Sequence, residues 1–336
     1  MLRTKDELPG TTTHLPRIPR GTHLKRVAQE YPLAFILLAF IVGVSIMNQS
    51  FFTLSNLMVI LLQVAVYSLL ALGEFLVILT AGIDLSIGSI VGLAGVVGAL
   101  LASHSGTGPL VMAVSGALMA GLLVGCVNGV LVAWIKMPPF IVTLGTMTSA
   151  LGVGYVLSDG QPISNVSNNF LSIGGGSLWH VPYPIFIMIV VLAIFYALLK
   201  YTAFGTYIYA TGGNDKAARI AGIKTSRILF AVYALSGLLA ALAGVILASQ
   251  VTSGIATNGA GYELDAIAAV VIGGTSLMGG RGTFVGMVIG FLMLSILSNG
   301  LYILNVSPFY IDVITGLLIV VAVGADAYVT RIRSRS

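Results

Sequence analysis

Apolar positions in this chain run in long blocks. They show neither the alternation of a half-buried strand nor the single apolar stripe of a helix in water. Ten such blocks lie at about 31–47, 57–80, 87–103, 110–134, 140–158, 183–200, 227–249, 262–278, 283–304 and 308–326. A helix needs roughly 20 mostly apolar residues to cross the hydrocarbon layer, and most of the blocks approach that length. The first is short, and the third and eighth have the softest edges. The pattern predicts an all-α membrane protein of about ten transmembrane helices, forming a single domain over residues 27–336. Residues 1–26 are polar and broken by Pro9, Pro16 and Pro19. They read as a disordered tail without a cleavable signal peptide, so the first span is expected to be an uncleaved anchor.

Polar positions sharpen the picture by their rarity. From Tyr31 to Trp134 the only Asp, Glu, Lys or Arg side chains are Glu74 and Asp84. The exception is an interior island, GGNDKAARIAGIKTSR at 212–227, between the sixth and seventh blocks. Asn214 or Asp215 can cap a first helical turn there, and Gly222 can close the last in a left-handed conformation. Ala217, Ala218, Ile220 and Ala221 supply small apolar contacts, and Lys216 and Arg219 supply charge. The island predicts a two-turn helix outside the bilayer, either a surface that a soluble partner grips or an ordinary solvated loop.

Composition agrees with the blocks. Apolar residues make up 57% and charged residues 8%, against about a quarter charged in soluble proteins, and the mean hydropathy is +1.02. With ten spans and both termini cytoplasmic, all sixteen Lys and Arg fall in inner segments or tails. That is the distribution expected of residues that resist translocation. It accounts for the isoelectric point near 9.3 without any nucleic acid. Cys126 is single, so no intrachain disulfide can form.

Forty-one glycines suit helices that approach closely in lipid. Gly121, Gly125 and Gly129 repeat every four residues in the fourth block. Gly282, Gly286 and Gly290 do so at the start of the ninth, and Gly88 and Gly92 in the third. Static packing is the default reading of such faces, and sliding helices the alternative. The likeness of GSIVG at 88–92 to GTFVG at 282–286 hints at an internal duplication. The segment at 158–182, rich in Asn, Ser and Gly, is the largest external surface expected, and reads as a docking surface, a lid or a tolerated insertion.

Catalytic and cofactor motifs are missing from the sequence. There is no GxxxxGK[ST] phosphate loop, no HExxH zinc pair and no GxSxG nucleophile turn, and the four histidines are scattered. No block holds the carboxylate cluster of a proton-coupled carrier. The chain is therefore expected to be non-catalytic and to carry no cofactor or metal of its own. Candidates for lining a solute path are Glu74, Asp84, Asn128, Glu263, Asp265 and Asn299. Each can equally be a structural partner for a neighbouring helix.

Several stretches, in order, resemble the permease subunits of bacterial ATP-binding-cassette sugar importers, the ribose, xylose, galactose and autoinducer-furanose group. They are AGIDLSIG at 81–88, PFIVTLGT at 139–146, FG at 204–205, GGNDKAARIAGI at 212–223, YELDAIAAVVIGG at 262–274 and GGRGT at 279–283. The resemblance covers about residues 50–326. It implies the fold of the larger, type II importers and a location in the bacterial inner membrane. It also implies a second permease copy (identical or a close paralogue), an extracytoplasmic sugar-binding protein and a separate ATPase that carries ATP and magnesium. The island becomes the coupling helix, with Gly213, Asn214, Asp215, Ala217, Ala218, Arg219 and Gly222 meeting the ATPase. The rivals are the same architecture moving an amino acid, nucleoside or polyol, an ion-coupled secondary carrier, and an intramembrane enzyme.

Overall fold

The computed structural model describes residues 32–103 and 107–333, so the tail at 1–26 lies outside the described residues. The order is α1 (Pro32–Met47), a 3-10 turn (Gln49–Phe52), α2 (Leu54–Leu79), α3 (Ile87–Leu101), α4 (Thr107–Ala133), α5 (Pro139–Ser158) and α6 (Asn168–Gly175). A two-residue hairpin follows, β1 (Ser177–Leu178) pairing antiparallel with β2 (Val181–Pro182). Then come α7 (Tyr183–Tyr201), α8 (Ala203–Gly213), α9 (Asp215–Ile220), α10 (Thr225–Gln250), α11 (Tyr262–Ile272), α12 (Phe284–Ile303) and α13 (Pro308–Arg333). Local chemistry sets several of the starts. The Thr53 hydroxyl accepts from Asn56 N at the head of α2, and Thr283 accepts from Gly286 N at the head of α12, each satisfying an otherwise orphan helix amide. Pro139 and Pro308 open α5 and α13, where a missing N–H is harmless.

Among the described residues, six helices are long and apolar enough to cross a membrane: α2, α4 from Pro109, α5, α7, α10 and α12, with shorter apolar stretches in α1, α3 and α13. Helices α2 and α10 form the core, and Phe75, Leu76, Ile78, Tyr233 and Ile246 are fully buried. Helices α4, α5 and α7 turn apolar side chains such as Met112, Val156 and Val190 outward. An apolar exterior around a buried interior is what lipid as solvent requires, and the protein is an all-α, multi-pass membrane protein.

The eighth expected span is corrected. Helix α11 ends at Ile272 and has only 11 residues, about 16 Å at the usual rise per residue, so it crosses half of a bilayer at most. Gly273 ends it, Gly274 is left-handed at φ 86°, and the chain turns through 274–283 before α12. The hydropathy of VVIGGTSLMGG conceals this break, because glycine and serine only mildly depress an apolar average. Helix α3 is also short, and the 80–86 segment before it is irregular, with Gly82, Asp84, Leu85 and Ser86 buried and Ala81 exposed. Two elements had no counterpart in the sequence expectation: α6, inside the expected external segment, and α8, between the sixth span and the island. The external segment is tied down, for Ile163 and Gly254 exchange backbone hydrogen bonds at 3.0 Å.

The glycine faces lie at helix crossings. A Cβ on Gly121 would meet Ala241 and Gly237 of α10 at 2.5 Å. On Gly125 it would lie 3.1 Å from Ala234 Cα, and on Gly129 2.9 Å from the Phe230 carbonyl. Gly286 and Gly290 rest on the end of α11 at Gly273 and Ala269, and Gly282 sits against Thr275. Gly88 and Gly92 lie against the 256–263 segment. Backbone contact at this range forbids a side chain. Gly125→Leu is therefore expected to cost about 1–3 kcal/mol or more through overpacking. Gly43→Ala, where a Cβ meets nothing within 4 Å, should leave stability unchanged or slightly raised. Thermal unfolding of the detergent-purified variants checks both, and equal behaviour of the two would contradict the close packing of α4 on α10.

Candidate functional site

The polar island folds as a short helix held at both ends. Asn214 is extended, and its Oδ1 accepts from Ala217 N at 3.0 Å, capping α9. Gly222, at φ 86°, lets the chain reverse, while Gly222 N and Ile223 N bond back to the Arg219 and Ala218 carbonyls. Arg219 Nε donates to Asp215 Oδ2 at 2.9 Å. That pair is exposed and contributes little to stability. Ala218 packs inward, whereas Ile220 at the tip is 88% exposed. A cleft lined by Tyr207, Ile223, Lys224 and Arg227 opens beside the helix.

What precedes the helix is locked into the bundle. The end of α8 passes so close to the end of α2 that a Cβ on Gly212 would overlap the Leu79 carbonyl. Gly280 N donates to that same carbonyl at 2.9 Å. A Cβ on Gly280, itself at φ 69°, would lie 2.5 Å from Gly213 Cα. Tyr209 adds a hydrogen bond from its hydroxyl to the Gly282 carbonyl at 3.1 Å. Three chain segments, at 79–81, 212–213 and 279–282, thus form one glycine-packed knot from which α9 projects.

From this knot the chain runs through Gly82 and Ile83 into a buried polar network. Asp84 Oδ1 accepts from the Ser86 amide (3.0 Å) and hydroxyl (2.6 Å), and Oδ2 accepts from the Ser236 hydroxyl of α10 (2.9 Å). Asn128 of α4 donates to Ser86 Oγ at 2.8 Å and accepts from the Thr146 hydroxyl of α5 at 2.7 Å. Glu74 Oε1 accepts from Asp84 N at 3.2 Å. Glu74 Oε2 and the Tyr233 hydroxyl, both buried, have no partner. The Thr143 hydroxyl reaches the Ile83 carbonyl at 3.2 Å. Helices α2, α3, α4, α5 and α10 therefore meet on one irregular segment.

The six path candidates separate into groups. Glu74, Asp84 and Asn128 come together and are fully buried in this network. Asp265 takes a hydrogen bond from the Tyr67 hydroxyl at 3.3 Å, beside a narrow cavity between α2, α11, α12 and α13. Glu263 accepts from Gly261 N and lies against Gly88. Asn299 exchanges two hydrogen bonds of 3.0 Å with Asn56, a helix-to-helix clasp between α12 and α2. Sequence reasoning missed Ser86, Ser236, Thr146, Tyr233 and Tyr67. Their only signal was a lone polar group inside an apolar block, which small hydroxyls give too often to be read.

A membrane permease is the class that this fold and these sites fit. The chain belongs to the family described as branched-chain amino acid transport system / permease component, whose profile matches residues 56–323. It is 44% identical over 306 residues to the ribose import permease protein of Haemophilus influenzae, covering 90% of this chain and 94% of that one. Identity is also 44% to the ribose import permease protein of Bacillus subtilis, covering 94% and 98%. The D-allose transport system permease protein of Escherichia coli is 37% identical, covering 88% and 91%. No solved structure matches the chain.

Removing one network donor leaves a buried carboxylate oxygen bare. Ser236→Ala is expected to destabilise by about 1–3 kcal/mol. Its effect should fall short of additive when combined with Asp84→Asn, because the two share one network. Thermal unfolding of the single and double variants measures this, and strict additivity would show that the groups are energetically separate.

Proposed function

We propose that this chain is the membrane-spanning subunit of an ATP-binding-cassette importer for a monosaccharide or similar polyol, in the bacterial inner membrane. The observation that carries the coupling role is α9: a capped helix with a nearly bare isoleucine at its tip, rooted in a knot that touches the ends of α2, α8 and the 279–282 turn. A large exposed aliphatic side chain on a charged helix suits the groove of a soluble partner, which here is the separate ATPase. Gly213, Asn214, Asp215, Ala217, Ala218, Arg219 and Gly222 build or flank that contact. Nucleotide and magnesium stay on the ATPase, and an extracytoplasmic sugar-binding protein delivers the solute. This chain contributes no catalytic group and no cofactor.

Both termini lie inside, the 27–336 domain follows a cytoplasmic tail, and the half-length α11 stands where a full eighth span was expected. Support comes from the basic residues, whose helix-end positions at Lys136, Lys200, Lys216 to Arg227, Arg281 and Arg331 are those of inner segments. Spatial support comes from the knot, which brings Arg281 beside the island. A second permease copy is supported by α5, where Gly145, Thr148, Ser149 and Gly152 are exposed. A small, hydroxyl-bearing helix face is poorly matched to lipid tails and well matched to another helix.

A sugar is favoured over an amino acid as cargo by the relatives' printed substrates and by the charge distribution. A zwitterion needs both charges answered in the path. Among the described residues, the buried carboxylates Glu74 and Asp84 have no Lys or Arg as a hydrogen-bond or ion-pair partner. Alternating access follows: closure of the ATPase dimer displaces α9, and the knot carries that displacement to the buried ends of α2 and α8.

Ile220→Asp tests the reading. We expect co-purification of the ATPase and D-ribose uptake to fall at least about tenfold, as loss of a central buried anchor does, with the membrane level of the permease unchanged. Full uptake by this variant would refute a coupling role for α9. A cysteine introduced at Lys216 should be shielded from a membrane-impermeant thiol reagent in intact cells, and one at Trp179 labelled. The reverse pattern would invert the topology.

A further inference from the structure

Along α7 an exposed apolar track runs into a fixed positive charge. Ile189, Ala193, Tyr196 and Lys200 follow one another at i, i+4, i+7 and i+11, and Val190, Ile194, Ala197 and Tyr201 do so one position later. Those spacings keep each set on one face of the helix, and all eight residues are exposed. The aliphatic part of the track suits acyl chains, and its end carries two tyrosines and a lysine, the residues that favour the level of the lipid head groups.

The Lys200 ammonium is held in place. It donates to the Tyr196 hydroxyl at 2.7 Å and stands 5.0 Å from the centroid of the Tyr196 ring and 5.3 Å from that of Tyr201. The two rings meet edge-on with centroids 6.4 Å apart, and Tyr196 meets Phe284 of α12 in the same way at 5.4 Å. An ammonium carries three donors, so two of them remain for another acceptor. Arg281, three residues before Phe284, is also exposed, and among the described residues neither cation has a carboxylate partner. The corner itself is tight. Only Thr202 separates α7 from α8, and a Cβ on Gly205 would overlap the Leu199 carbonyl.

An apolar track that ends at positioned, unpaired cations matches a molecule with acyl chains at one end and an anion at the other. Basic pockets at helix ends take anionic head groups in this manner. A zwitterionic head group brings its own cation, which Lys200 and Arg281 repel. We infer that the corner between α7 and α8 is a binding site for an anionic phospholipid. The phosphate accepts from Lys200, Arg281 reaches the same head group from the turn before α12, and an acyl chain lies along Val190 and Ile194. The site rests on the membrane-spanning fold and not on which solute the permease carries.

Native mass spectrometry of the detergent-purified, full-length permease, titrated with phosphatidylglycerol or with phosphatidylcholine, tests it. We expect the natural sequence to hold phosphatidylglycerol at least about tenfold more tightly. Lys200→Gln and Arg281→Gln should each weaken that lipid about fivefold, the worth of one basic residue near an anionic surface, and leave phosphatidylcholine unaffected. Both side chains are exposed, so the variants should fold, and thermal unfolding checks that they do. Lys224→Gln removes an equal charge from the polar island and should leave the preference intact. An equal loss in Lys224→Gln would mean diffuse attraction to a basic face and would overturn the site, as would equal retention of the two lipids by the natural sequence. Displacement of the lipid by millimolar inorganic phosphate would make this a free-anion site instead. Loss of a co-purifying protein in Lys200→Gln, with lipid retention unchanged, would make the corner a protein contact and sink the proposal.

Discussion

Irregular backbone inside a bilayer must find every hydrogen bond within the protein, and this fold is organised around meeting that demand at residues 80–86. The segment interrupts the run from α2 to α3 deep among the helices. Asp84 supports it by collecting the Ser86 amide, the Ser86 hydroxyl and the Ser236 hydroxyl, while its own amide is taken by Glu74. Through Ser86 the same oxygen set reaches Asn128 and Thr146. Five helices are thereby registered to one carboxylate. Dispersion alone would let smooth apolar helices slide, whereas a directional network allows few alternative registers.

The glycines serve the same end by different means. At Gly121, Gly125 and Gly129 they let α4 touch the backbone of α10, the helix that bears Ser236 and Tyr233. At Gly212, Gly213 and Gly280 they let three loop ends share a volume that a single Cβ would overfill. In the proposed coupling role, a displacement of α9 would meet the end of α2 through this contact, and Asp84 follows within five residues of Leu79. A close-packed junction of this type has discrete arrangements instead of a continuum, which is what a transporter alternating between two states requires.

The sequence made the lipid-facing architecture readable because hydropathy blocks report the solvent directly. The cap and the glycine stop of α9 were also readable, since Asn214 and Gly222 each answer a local backbone need. The short α11 was not, for a half-helix ended by Gly273 and Gly274 is as apolar as a full one. Nor was the grouping of the polar residues. Glu74 and Asp84 stood out by charge, but Ser236 lies 152 positions from Asp84, and nothing local marks it as the partner. Asn128 and Asn299 looked alike in their apolar surroundings, and only packing separates a network member from a clasp to Asn56.

Tertiary context also changes what a scarcity of charge means. The sequence offered Glu74 and Asp84 as candidates for lining a solute path. In the folded chain the carboxylates deepest in the bundle, Glu74 and Asp84, serve its architecture, and the polar groups left without partners near cavities are uncharged: an amide at Gln250 and a hydroxyl at Ser295. Neutral polar groups along a path hold hydroxyls weakly and release them readily. A permease that receives its solute from a tight-binding partner is better served by such groups than by ion pairs, because affinity retained in the membrane would slow the release that import depends on.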